Sequence, residues 1–152
     1  MKQRMLWILV VLALVGAEPA VEDRGQKELD RLQGTWKVLR VDVNGAPMPL
    51  KAFQKVTILV KGDEITFTLE DKIYDKLTFD PDPTTKPRSA DLRHTSGLKK
   101  GVRERAIYEL QGDQLKLCIA QPRQKRPTDF ISEEGTGQQL FLLKRAKAPA
   151  GK

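Results

Sequence analysis

Val56-Thr57-Ile58-Leu59-Val60-Lys61-Gly62-Asp63-Glu64-Ile65-Thr66-Phe67-Thr68-Leu69 reads with a period of two on either side of a Gly-Asp pair. A two-residue turn at Gly62-Asp63 sets Val60 against Ile65, Ile58 against Phe67 and Val56 against Leu69, so the apolar side chains fall on one face. Glycine at the first central position takes the positive φ that a type II′ turn requires. The same arithmetic at Gly112-Asp113 sets Leu110 against Leu115, Tyr108 against Leu117 and Ala106 against Ile119. Two separate hairpins therefore describe an antiparallel sheet with one dry face.

The period of two continues through Ile73-Leu77-Phe79, Val102-Ala106-Tyr108-Leu110 and Leu140-Leu142. Strands are predicted near 35–43, 55–61, 64–69, 73–80, 89–95, 102–110, 114–120 and 138–145, about eight in all. No amphipathic helix of about ten residues or more separates them, which excludes a βαβ layout. Eight strands are a common number for closing a small sheet without exposed edges. Two packed sheets satisfy the same alternation, but the succession of hairpins favours the barrel. At Glu70-Asp71 a two-residue turn would send Ile73 to the wrong face, so a three-residue loop over 70–72 is expected, pairing Leu69 with Ile73. Gln26 to Gln33 reads as one or two turns of helix ending at Gly34. The fold class is thus all-β, a single antiparallel up-and-down β-barrel with a short N-terminal helix.

Lys2 and Arg4 precede an apolar stretch from Met5 to Ala17 and the small-residue sequence Val15-Gly16-Ala17, the pattern of a signal peptide over 1–17. That stretch of 13 residues is shorter than the roughly 20 needed to span a bilayer. Export to the periplasm or the medium is expected, with no stable membrane insertion after cleavage. Residues 18–25 are expected to be flexible, 26–146 to form the barrel domain and 147–152 a disordered tail. The 135 residues that remain of 152 suit one domain. They carry 25 Lys and Arg against 20 Asp and Glu, because the leader removes two bases and no acids. A formal charge of +5 spread along the chain reads as a solvated surface and gives no reason to expect nucleic acid. Cys118 is the only cysteine, so no internal disulfide can form and packing must hold the domain together.

Gly34-Thr35-Trp36 at the head of the first strand resembles the Gly-x-Trp signature of lipocalins. The resemblance implies that Trp36 closes one end of the barrel and that a basic residue of the last strand, Arg145 rather than Lys144, packs over it. A wider pattern joins Leu32 to Trp36, Ile107 to Leu110, Gly112-Asp113, Leu115 to Cys118, Arg126 to Phe130 and Leu140 to Arg145. Together these segments resemble a family of uncharacterised planctomycete domains, often exported and considered lipocalin-like. The resemblance spans roughly residues 29 to 146; it implies a fold and a compartment, and brings no established activity or catalytic residues.

The residues themselves supply no catalytic constellation, and neither an enzyme nor a cofactor is expected. One His and one Cys, 24 residues apart, do not make a zinc site. Ser89, Asp91 and His94 could be grouped as a triad, but alternation points Asp91 away from His94. The stretches Lys99-Lys100 with Arg103 and Arg105, and Arg123 with Lys125-Arg126, have few aromatics between them for base stacking and read as solvated loops.

Asp75 shares its face with Ile73, Leu77 and Phe79, His94 with Ala90 and Leu92, and Glu104 with Val102 and Ala106. Three ionisable groups are therefore expected to point inward, and centring the 95–103 connection on Lys99 places His94 directly opposite Glu104. Two readings stay open. In one, the barrel binds a small apolar or amphipathic ligand, with Trp36 at the closed end, Tyr108 on the wall and His94, Glu104 and Asp75 as polar contacts. In the other, a monomer with a filled core docks an envelope protein or polymer through its surface.

Overall fold

Both Gly-Asp hairpins form in the expected register, with Val60 opposite Ile65 and Leu110 opposite Leu115. Gly62 and Gly112 carry φ of +62° and +56°. In this computed structural model residues 20–147 are described; the expected leader at 1–17 and residues 148–152 of the tail lie outside them. The elements are helix α1 (Val21–Leu32), then strands β1 (Gly34–Val43) and β2 (Ala46–Pro47), a 3-10 turn (Leu50–Phe53), β3 (Val56–Lys61), β4 (Glu64–Leu69), β5 (Lys72–Asp82), β6 (Arg88–His94), β7 (Arg103–Gln111), β8 (Gln114–Ile119) and β9 (Gln139–Arg145). Apart from the two-residue β2, each strand pairs antiparallel with the next, and β9 returns to β1 from Trp36↔Arg145 to Val43↔Gln139. Eight strands thus close the up-and-down barrel that the hairpins implied.

The turn between β4 and β5 differs from the expectation. Glu70 and Asp71 form a two-residue turn with φ of 50° and 66°, the paired positive values of a type I′ turn. Leu69 faces Lys72 and Thr68 faces Ile73, while Phe67 faces Asp75, so Tyr74 is the extra residue of a β-bulge. The conflict of phase is resolved within the strand rather than by a longer loop. Ile73 consequently lies outside, 58% exposed, while Asp75 returns to the inward row with Leu77 and Phe79.

Helix α1 begins at Val21 and takes in residues expected to be loose. Gly25 discourages a helix in sequence terms, but a Cβ there would stand 3.3 Å from the Pro81 carbonyl oxygen, so its absence lets the helix approach β5 closely. Glu22 and Asp23 in the first turn and Arg31 in the last complement the helix dipole. Leu29 and Leu32 face the barrel and join the core with Trp36, Ile58, Leu77, Phe79, Leu92, Tyr108 and Leu117.

The 120–138 connection covers part of the outer face. Cys118 and Ile107 pair across β7 and β8 and are both buried, with the Cys118 thiol 3.4 Å from the Ile131 carbonyl. Arg126 ties this segment to the sheet by donating to the carbonyls of Ala90 at 2.7 Å and Ala106 at 2.8 Å.

Candidate functional site

The barrel is sealed at the helix end. Trp36 is wholly buried, its indole N–H donates to the Leu32 carbonyl at 2.9 Å, and the Arg145 guanidinium carbon lies 4.3 Å from its ring centroid. Arg145 also donates to the carbonyls of Arg31, at 2.7 Å, and Gln33. One guanidinium therefore stacks on the plug and ties the end of α1 to it. Beside it the Tyr108 hydroxyl donates to Glu28 at 3.0 Å, and Arg31 and Arg88 pair with the same carboxylate at 2.8 and 3.3 Å. Burial, helped by the Glu28 charge, holds the Tyr108 phenol far above its ordinary pKa.

Asp75, His94 and Glu104 meet at the opposite end. The His94 ring lies with Nδ1 2.8 Å from Asp75 Oδ2 and Nε2 3.2 Å from Glu104 Oε2, and Lys99 Nζ is 2.9 Å from Glu104 Oε1. His94 and Glu104 are 4% and 6% exposed. A ring with a carboxylate at each nitrogen makes both contacts as a donor only when both nitrogens carry protons. Glu104 is thus held by His94 on one oxygen and by Lys99 on the other.

The register that delivers this cluster is not the one expected. Leu92 faces Glu104, and the His94 amide donates to the Val102 carbonyl at 3.0 Å, so the loop is centred on Leu98 rather than Lys99. Gly97 and Gly101, with φ of 73° and 87°, close the loop two residues early. His94 and Glu104 are diagonal neighbours whose long side chains still reach each other.

The five residues singled out from the sequence do not line one chamber. Between the two ends remains a void of about 40 Å³ bounded only by apolar side chains, among them Trp36, Phe67, Phe79, Phe141 and Leu143. Of the five, Trp36 alone borders it. A pocket for a drug-sized ligand occupies about 300–1,000 Å³. The interior is thus close to filled.

The large concavity is outside, where the sequence offered only solvated loops. A groove of about 1070 Å³ crosses the outer faces of β5, β6 and β7, between Lys100-Gly101 and the 121–124 segment. Thr78, Arg93 and Arg103 form one cross-strand row on its floor, and Asp80, Asp91 and Arg105 the next. Alternation gave the outward direction of these side chains, but the rows exist only once three strands are in register.

No group of three or more His, Cys, Asp and Glu side chains among the described residues is arranged to hold a metal ion. Burial pushes the Cys118 thiol up in pKa, away from the thiolate a nucleophile needs. Ser89 bonds Thr85 at 3.0 Å and Asp91 is held by Arg126 at 2.6 Å, so neither joins His94.

Fold and surface together define a closed, helix-capped antiparallel barrel with a nearly filled interior and a charged outer groove. Comparison with family models, with curated proteins and with solved structures gives no match.

Proposed function

We propose that this chain is an exported, lipocalin-like binding module that acts through its outer surface as an envelope interaction protein. The observation that carries this reading is the contrast between an interior void of about 40 Å³ and an outer groove of about 1070 Å³. An eight-stranded barrel is either plugged by side chains or holds one ligand, and Ile58, Phe79, Leu92 and Leu117 pack its interior here. The signal-peptide pattern at 1–17 and the resemblance to exported planctomycete domains supply the compartment. The reading is tested by titrating the protein with a fluorescent fatty acid. No saturable binding is expected, and stoichiometric binding competed by unlabelled fatty acid would overturn it.

One observation favours the other reading, a small apolar or amphipathic ligand inside the barrel. Phe67 borders the void and faces Asp75 across the sheet, so the Asp75, His94 and Glu104 cluster stands next to the apolar interior at the end that α1 leaves uncovered. A ligand would enter there only by displacing core side chains.

A further inference from the structure

The charges in the outer groove are not arranged as an ordinary solvated surface. Arg31 and Arg88 hold Glu28, Arg40 holds Asp42, Arg126 holds Asp91 and Arg145 holds Asp113. Arg93, Arg103, Arg105 and Arg123 make no side-chain ion pair or hydrogen bond among the described residues, and all four line the groove with Lys100. Arg93 and Arg103 face each other directly across β6 and β7. Like charges in that position weaken a sheet, and an anion between the two guanidiniums would remove the repulsion.

A run of uniform negative charge would meet an unpaired acid in the groove. Asp80 and Asp91 face each other across β5 and β6 in the next row, and Asp80 has no partner among the described residues. The groove is therefore cationic except at Asp80, since Arg126 holds Asp91 and Arg105 completes that row. No aromatic ring lines it, so it offers neither bases nor sugar rings a stacking platform. Its volume of about 1070 Å³ is at the upper limit for a small-molecule pocket, which suits a segment of chain. Guanidinium forks match carboxylates in two-point contacts, and the unpaired Asp80 matches a basic side chain.

We propose that the groove binds an acidic peptide segment of a partner protein, its carboxylates on Arg93, Arg103 and Lys100 and a basic residue at Asp80. This proposal rests on the outer-surface reading above and specifies its ligand.

The test is fluorescence anisotropy of the full chain with a fluorescein-labelled peptide of glutamates ending in two lysines. Dextran sulfate and oligothymidylate serve as uniform polyanions. Saturable, salt-sensitive binding of the peptide is expected, weakened roughly tenfold or more by Arg93→Glu with Arg103→Glu. The milder Arg93→Gln with Arg103→Gln is expected to weaken it as well, so a folding defect in the reversal variant leaves the proposal testable. Asp80→Lys is expected to weaken the peptide and tighten dextran sulfate. No saturable peptide binding, no response to the arginine substitutions, or tighter binding of either polyanion to the unaltered protein would each overturn the proposal. Failure here with no fatty acid bound leaves the outer-surface reading standing without this ligand, whereas a fatty acid held in the barrel removes that reading itself.

Discussion

Arg145 lies over Trp36 with its guanidinium carbon 4.3 Å from the ring centroid, although 109 positions separate the two residues in the chain. The pairing Trp36↔Arg145 is also the last rung by which β9 closes onto β1. The plug and the closure of the barrel are thus one structure. Trp36→Ala is expected to cost about 3–5 kcal/mol, the usual loss for a buried large aromatic. Equilibrium denaturation checks this, and a loss below about 1 kcal/mol, typical of surface positions, would contradict it.

The helix end of the barrel gives a pH dependence. Tyr108 is held above its ordinary pKa first by burial and then by Glu28. A raised folded-state pKa means that the folded protein keeps a proton the unfolded chain loses near pH 10. The stabilisation is whole below about pH 10 and is lost as pH rises beyond it. Tyr74 shifts in the same direction, through burial and the charge of Asp75, so the comparison is between Tyr108→Phe and Tyr74→Phe. Denaturation midpoints above about pH 10 should fall less steeply in Tyr108→Phe than in the unaltered protein, and less steeply than in Tyr74→Phe. Equal slopes in all three would contradict the assignment.

His94 separates two inward carboxylates, Asp75 and Glu104. His94→Ala leaves them facing each other and is expected to destabilise by about 3 kcal/mol, the scale of a broken buried pair. Glu104→Gln in that background should cost less than in the unaltered protein, with a coupling of about 1 kcal/mol or more. A double-mutant cycle by urea denaturation measures it, and additivity would show that the two do not interact.

Cys118 is fully buried under the 120–138 connection and its thiol pKa is raised by burial. Iodoacetamide at neutral pH should leave it unmodified in the folded protein and alkylate it in denaturant, as read by mass spectrometry. Rapid labelling of the folded protein would mean that the segment does not cover it.

Much of this architecture was legible because turns and alternation are local. Gly62-Asp63 and Gly112-Asp113 set the register of two hairpins, and the strands followed within a residue or two of their predicted bounds. What escaped depends on contacts between distant segments. The bulge at Tyr74 follows from a turn that admits positive φ at Glu70 and Asp71. The helix reaches back to Val21 because Gly25 meets Pro81. Glu28, polar in a short helix, is buried because Tyr108, Arg31 and Arg88 converge on it from three elements. The inward direction of Asp75, His94 and Glu104 was readable, but the loop register was shifted by Gly97 and Gly101. Whether a barrel is filled depends on the fit of side-chain volumes across it, which a pattern of alternation does not contain.

Native mass spectrometry of the protein purified from the cells that make it tests most directly whether the barrel serves as a core and the surface as the binding site. The expected spectrum shows the polypeptide alone or with a polypeptide partner that dissociates at high salt. A small apolar molecule retained at one copy per chain would contradict it, because a void of about 40 Å³ has no room for such a guest.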